Sequence, residues 1–121
     1  MSSEKLLFVA GVVLLAVSAL LGFVQYRNRG RPEAFALWRV VHAGGTTGAV
    51  QLLALAAVWE RFAPNRALAG LALGIVAATF AFFLGPLARA LDSPRIARAF
   101  LSVGTVIAVP SYVALPLALF L

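Results

Sequence analysis

The amino-acid sequence predicts an all-α fold, an integral membrane four-helix bundle, and three observations carry that prediction. Of 121 residues, 63% are apolar and only 12% charged, with a mean hydropathy of +1.00. That is more apolar surface than a soluble globule of this size can bury. Four apolar runs, at residues 6–24, 40–59, 67–87 and 99–121, each approach the roughly 20 residues that cross a hydrocarbon core. The ten basic residues sit in short clusters between those runs. They read as membrane flanks, so the net charge of +6 calls for a lipid bilayer and no nucleic acid partner.

The first run follows Lys5 and has the look of a signal peptide, but it is about as long as a full span. The basic cluster behind it, Arg27, Arg29 and Arg31, resembles a stop-transfer flank more than a cleavage site, so it is read as a helix. The connectors are YRNRGRPEAFALWR, ERFAPNR and RALDSPRIAR, each with a proline near a turn. Links this short make sequential helices antiparallel neighbours in one domain covering residues 1–121. The first and third connectors carry Arg27, Arg29, Arg31, Arg39, Arg89, Arg95 and Arg98, against Lys5, Arg61 and Arg66 on the other side. By the positive-inside rule those two connectors face the cytoplasm. Trp38 and Trp59 fall at the two ends of the second run, where interfacial aromatic anchors belong.

Small residues set the expected packing. On the second helix Gly44 and Gly48 form a small-xxx-small pair that admits a neighbouring backbone. The third helix repeats the device with Gly70, Gly74, Ala77, Ala81 and Gly85. Two such stripes exceed what one internal seam requires, which predicts a homo-oligomer. The fourth helix contains Pro110 and Pro116, which remove backbone donors and bend it. Ser111 and Tyr112 lie between them, placed to satisfy the freed carbonyls.

His42 is the single histidine and is an ionisable group set inside an apolar run. Burying such a group without a partner is expensive, so it is a functional candidate by default, as a metal or cofactor ligand or an acid/base group. The bland alternative is a neutral imidazole near the interface bonded to water, a headgroup or a carbonyl. At about 100° per residue, His42, Gly45, Thr46, Ala49 and Leu53 share one stripe of the second helix, with Arg39 about 60° away. Familiar membrane chemistries fit poorly. Glu4, Glu33, Glu60 and Asp92 lie at span ends or in connectors, which disfavours proton-coupled transport. One histidine with no cysteine cannot assemble a zinc site from a single chain, and the same lack of cysteine excludes disulfides and thiolate chemistry. A serine nucleophile needs an adjacent base, and Ser102 alone is placed to approach His42. A haem needs only one imidazole. Its plane would lie on Gly45, Thr46 and Ala49, and its propionates would meet Arg39 from the same helix and Arg95 or Arg98 from across the bundle.

WRVVHAGG at residues 38–45, followed by Thr46, Thr47, Gly48 and an apolar run, resembles the second-helix signature of a family of small four-span membrane isomerases. These are styrene oxide isomerase and the hydroxylaminobenzene mutases. LLGF at residues 20–23, closing the first helix, is similar as well. The resemblance implies a homotrimer with haem b held between protomers through His42 as axial ligand. Ferric iron would then act as a Lewis acid in rearranging a small apolar epoxide to an aldehyde, or a small hydroxylamine within its own branch. Departures accompany it. The isomerases carry an asparagine shortly after the histidine, where this chain has Thr46, Thr47 and Gly48. They also carry an asparagine and a tyrosine on the third helix, where this chain has alanines, Thr79 and phenylalanines. Thr46, Thr47, Gln51 and Tyr112 are the candidates to orient a substrate in their place. The alternatives are a non-catalytic haem-binding protein and a structural or accessory membrane subunit.

Overall fold

In a computed structural model, which describes residues 1–62 and 67–119, the chain forms four long α-helices. They are α1 (Ser3–Arg27), α2 (Pro32–Val58), α3 (Ala67–Ala90) and α4 (Pro94–Leu119), with a 3-10 turn at Trp59–Phe62 after α2. No strand occurs among the described residues. All four helices are long and apolar enough to span a bilayer. A 25-residue helix is about 38 Å long, so each runs past the roughly 30 Å hydrocarbon layer into the headgroup zone. This is why α1 outreaches its apolar run at both ends, and α2, α3 and α4 outreach theirs at the end beside the first or third connector. The expected first connector is mostly helical, since α2 already starts at Pro32, a residue suited to the first helical position because it has no N–H to satisfy. Most of the expected second connector, at residues 63–66, lies outside the described residues.

The ends are held by local chemistry. Ser2 caps α1 by accepting the Lys5 N–H, and Asn28 closes it by donating its side-chain amide to the Val24 carbonyl at 2.8 Å. α3 stops in a Schellman-type turn: Ser93 N–H reaches back to Ala88 O at 2.8 Å and Asp92 N–H to Arg89 O at 3.1 Å. That turn requires a left-handed residue, and Asp92 supplies it at φ 61°. Glycine takes this conformation without steric cost, so Asp92→Gly is expected to raise stability by about 0.5–1 kcal/mol. Reversible unfolding in mixed micelles checks it, and a loss of stability would contradict the turn.

α1 packs chiefly on α2 and α3 on α4, and the two hairpins join through contacts of α3 with α2 and α1. Leu7 and Leu14 of α1, Val41, Ala49 and Leu52 of α2, and Ala72 and Ile75 of α3 are fully enclosed. Large apolar side chains elsewhere face outward, for example Phe8, Val50, Leu73, Val106 and Val113, a surface suited to lipid. On the third-helix stripe, Gly74 lies against Ser111 and Gly85 against Leu101 of α4, while Gly70 meets nothing. Trp59 is only 3% exposed and belongs to the core rather than an interfacial belt. The reason is geometric: the 3-10 turn folds it back over the end of the helix hairpin.

Candidate functional site

His42 lies about 15 Å along α2 from Pro32, and Ser18 lies about 14 Å before the end of α1. The antiparallel hairpin therefore sets them at one depth. His42 Nδ1 is 2.6 Å from the Ser18 main-chain carbonyl. A carbonyl only accepts, so the imidazole carries its proton on Nδ1 and donates it there. In the neutral ring Nε2 then keeps its lone pair. Gly22, one turn further along α1, makes the approach possible. A methyl group at that position would stand 2.9 Å from His42 Cε1, 3.0 Å from Nδ1 and 3.3 Å from Nε2. The ring is half-buried, set against Gly22 and the Ser18 carbonyl of α1.

The small residues of α2 are distributed differently from the expectation. Gly45 and Ala49 are buried. A side chain at Gly45 would collide with Ser18 Oγ and come within 3.0 Å of two Phe83 ring carbons. They form the seam between α1, α2 and α3, and no flat ligand can lie on them within this chain. Gly48 packs as predicted, against Thr79 and Leu14, but its partner Gly44 has nothing within 4 Å. The exposed arc of α2 runs instead through Arg39, Ala43, Gly44, Thr47 and Val50. Thr46 is half-buried and donates its hydroxyl to the His42 carbonyl at 2.9 Å, so it serves its own helix.

Two cavities open along the outward side of α2, α3 and α4. One, of about 860 Å³, is apolar with Glu33, Arg89 and Arg98 at its edge. The other, of about 550 Å³, is lined by Arg39, Gly44, Thr47, Gln51, Thr79 and Tyr112 among others. Val40 borders both, whereas His42 borders neither. Arg39 and Arg98 are thus separated, and neither is brought onto the imidazole. Ser102 is exposed on α4 and lines neither cavity.

Tyr112 does not serve the carbonyls freed by the prolines. It accepts from Gln51 Nε2 at 2.5 Å, tying α2 to α4, and it lines one cavity with Thr79 of α3. Thr79 was visible in the sequence as a polar residue within the third run, but its place on that cavity was not: the lining joins residues far apart in the chain. Of two further contributors, Ser18 escaped sequence reasoning altogether, and Gly22 entered it only within LLGF, with no role attached. One acts through its main chain, which carries no residue signal, and the other through the absence of a side chain. Among the described residues no group of three or more His, Cys, Asp or Glu forms a metal-binding cluster.

Among known protein families, the profile for styrene oxide isomerase matches residues 3–121. No curated protein matched the chain, and neither did any solved structure. With nearly the whole chain aligned to that profile and four helices fit to cross a membrane, the protein belongs to the styrene oxide isomerase family.

Proposed function

We propose that this protein is an intramembrane isomerase that binds haem b through His42 and rearranges a small apolar epoxide or hydroxylamine. The observation that carries the proposal is the direction of the His42 proton. With Nδ1–H committed to the Ser18 carbonyl at 2.6 Å, the free lone pair is on Nε2, and metal-bound histidines use this arrangement to fix tautomer and ring orientation. One imidazole is enough for a five-coordinate iron, so the donor set suits the group. Gly45 and Ala49 take no part, being enclosed. The open surface beside His42 is Arg39, Ala43 and Val50, on the outside of the bundle. A planar cofactor there would be covered by a second copy of the chain, which supports a homo-oligomer, a trimer by family resemblance.

Ferric haem would supply a Lewis acid for the substrate oxygen. The chain's own contributions are separate from that chemistry. His42 Nε2 would hold the metal, the Ser18 carbonyl orients the ring, Gly22 gives it room, and the Arg39 guanidinium would pair with a carboxylate at the membrane boundary. The apolar surroundings exclude water. The first and third connectors, with the larger share of arginine, face the cytoplasm in this proposal.

Detergent-purified protein is expected to show an intense Soret band that His42→Ala removes, and to convert aryl epoxides to aldehydes. A preparation that stays colourless after incubation with haem would refute the proposal. A full Soret band with no turnover of epoxides or hydroxylamines would favour the non-catalytic haem-binding alternative.

A further inference from the structure

The larger cavity, which His42 does not border, is graded from charged to apolar along the bundle. Its origin lies in how the helices pack. The two hairpins join through contacts of α3 with α2 and α1, so α2 and α4 make little direct contact and leave a cleft of about 860 Å³ between them. Gly85 and Pro86 of α3 line it as well. Glu33 and Arg89 each lie one residue from a helix end, and Arg98 lies about 6 Å into α4. The apolar lining reaches deeper. Val40 is about 10 Å beyond Glu33 along α2, and Leu101 about 10 Å beyond Pro94 along α4. The charged lip therefore sits at headgroup level and the remainder within the hydrocarbon layer.

The charges at that lip are not paired with each other. Among the described residues, the side chains of Glu33, Arg89 and Arg98 have neither an ion-pair nor a hydrogen-bond partner, although all three border one cavity. Each is exposed, as are Val40 and Leu101 below them, so the cleft is open to the lipid side along its length. An occupant that satisfies this arrangement brings an anion to two guanidiniums, a cationic donor to one carboxylate and an apolar tail to the depth of Leu101. A second copy of the chain would bury three unpaired charges there, at high cost. A phospholipid keeps its headgroup in water while its chain fills the apolar part.

We propose that this cleft is a selective site for a phospholipid whose headgroup joins a phosphodiester to a primary ammonium, the chemistry of phosphatidylethanolamine. The phosphate pairs with Arg89 and Arg98, the ammonium donates to the Glu33 carboxylate, and one acyl chain follows Val40 and Leu101 inward. Two related headgroups fit less well. Phosphatidylglycerol offers the phosphate but leaves Glu33 facing a like charge, and phosphatidylcholine carries a cation that has no N–H to donate. Because His42 borders no part of the cleft, this selectivity is independent of haem.

Native mass spectrometry of the full-length protein in detergent tests the site, with the three phospholipids supplied on identical acyl chains. The native chain is expected to bind phosphatidylethanolamine about fivefold more tightly than either of the others, the scale of a well-formed ion pair near water. Glu33→Gln is expected to level phosphatidylethanolamine with phosphatidylglycerol. The double variant Arg89→Gln, Arg98→Gln is expected to weaken phosphatidylethanolamine about tenfold, whereas Arg61→Gln, exposed at the other end of the bundle, leaves it within about twofold. Should the double variant fold poorly, the Glu33→Gln arm decides alone. Equal affinity for all three lipids, or a preference that Glu33→Gln leaves unchanged, would overturn the proposal. Tightest binding of phosphatidylglycerol to the native chain would overturn it too, and would assign the cleft to general attraction of anionic lipid.

Discussion

Alanine at position 45 is expected to destabilise the protein by about 3 kcal/mol, the largest effect of any single methyl group in the bundle. Gly45 is where α2 comes closest to both α1 and α3. Its missing side chain would occupy the place of Ser18 Oγ and stand 3.0 Å from two carbons of the Phe83 ring. Ser18 is fully buried, so although Phe83 borders the cavity of about 550 Å³ and can shift toward it, relieving the clash with Ser18 requires the helices to separate. Gly44→Ala provides the control within the same turn, because a methyl group there meets nothing within 4 Å. Denaturation in mixed micelles, followed by tryptophan fluorescence, compares the two. Equal effects would show that the α1–α2–α3 seam is placed wrongly. Ser18→Ala removes the colliding hydroxyl, which is buried without a hydrogen-bond partner, and keeps the main-chain carbonyl. The double variant Ser18→Ala, Gly45→Ala is therefore expected to recover about 1 kcal/mol or more relative to additivity, as contacting residues do in a double-mutant cycle.

Gly22→Ala is expected to weaken the proposed haem binding about 10–100-fold, the usual loss when the group orienting a metal-bound histidine is disturbed. The added methyl group would stand 2.9–3.3 Å from three atoms of the His42 ring, pushing the imidazole off the Ser18 carbonyl. The same variant has a readout that needs no cofactor. Nitrogen NMR of the haem-free protein is expected to show His42 protonated on Nδ1 in the native chain, and a mixture of tautomers in Gly22→Ala. Identical spectra would mean that the Ser18 carbonyl does not set the tautomer. Haem affinity falling without a tautomer change would assign Gly22 to packing alone.

Gln51 and Tyr112 meet across the bundle in a way the family pattern does not announce. The sequence lacks the asparagines and the tyrosine that the resemblance implies at the substrate, and its only asparagines, Asn28 and Asn65, lie in connectors. Polar groups do converge on one cavity, but from α2, α3 and the segment of α4 between its two prolines. Gln51 and Tyr112 are 61 residues apart. Each looked unremarkable alone: a glutamine near the end of an apolar run, and a tyrosine placed to repair a proline kink. Their meaning depends on a meeting that no local pattern announces.

The four spans, their antiparallel order and the singular position of His42 were all set by the sequence itself, because run length, basic flanks and an ionisable group in an apolar segment are local quantities. Which side of each helix faces inward was decided by the tertiary structure. In water, apolar periodicity would have told the two sides of α2 apart. In lipid, hydrocarbon tails are as apolar as leucine, so a helix shows small or aliphatic side chains on both sides, and the close fit of neighbouring backbones makes the choice. Thus Gly45 and Ala49, read as an open face beneath the imidazole, became the packed seam, and Gly44, read as packed, opened onto a cavity. The partner of His42 was likewise beyond the reach of residue patterns, since it is a main-chain carbonyl that only the docking of α1 against α2 brings within 2.6 Å.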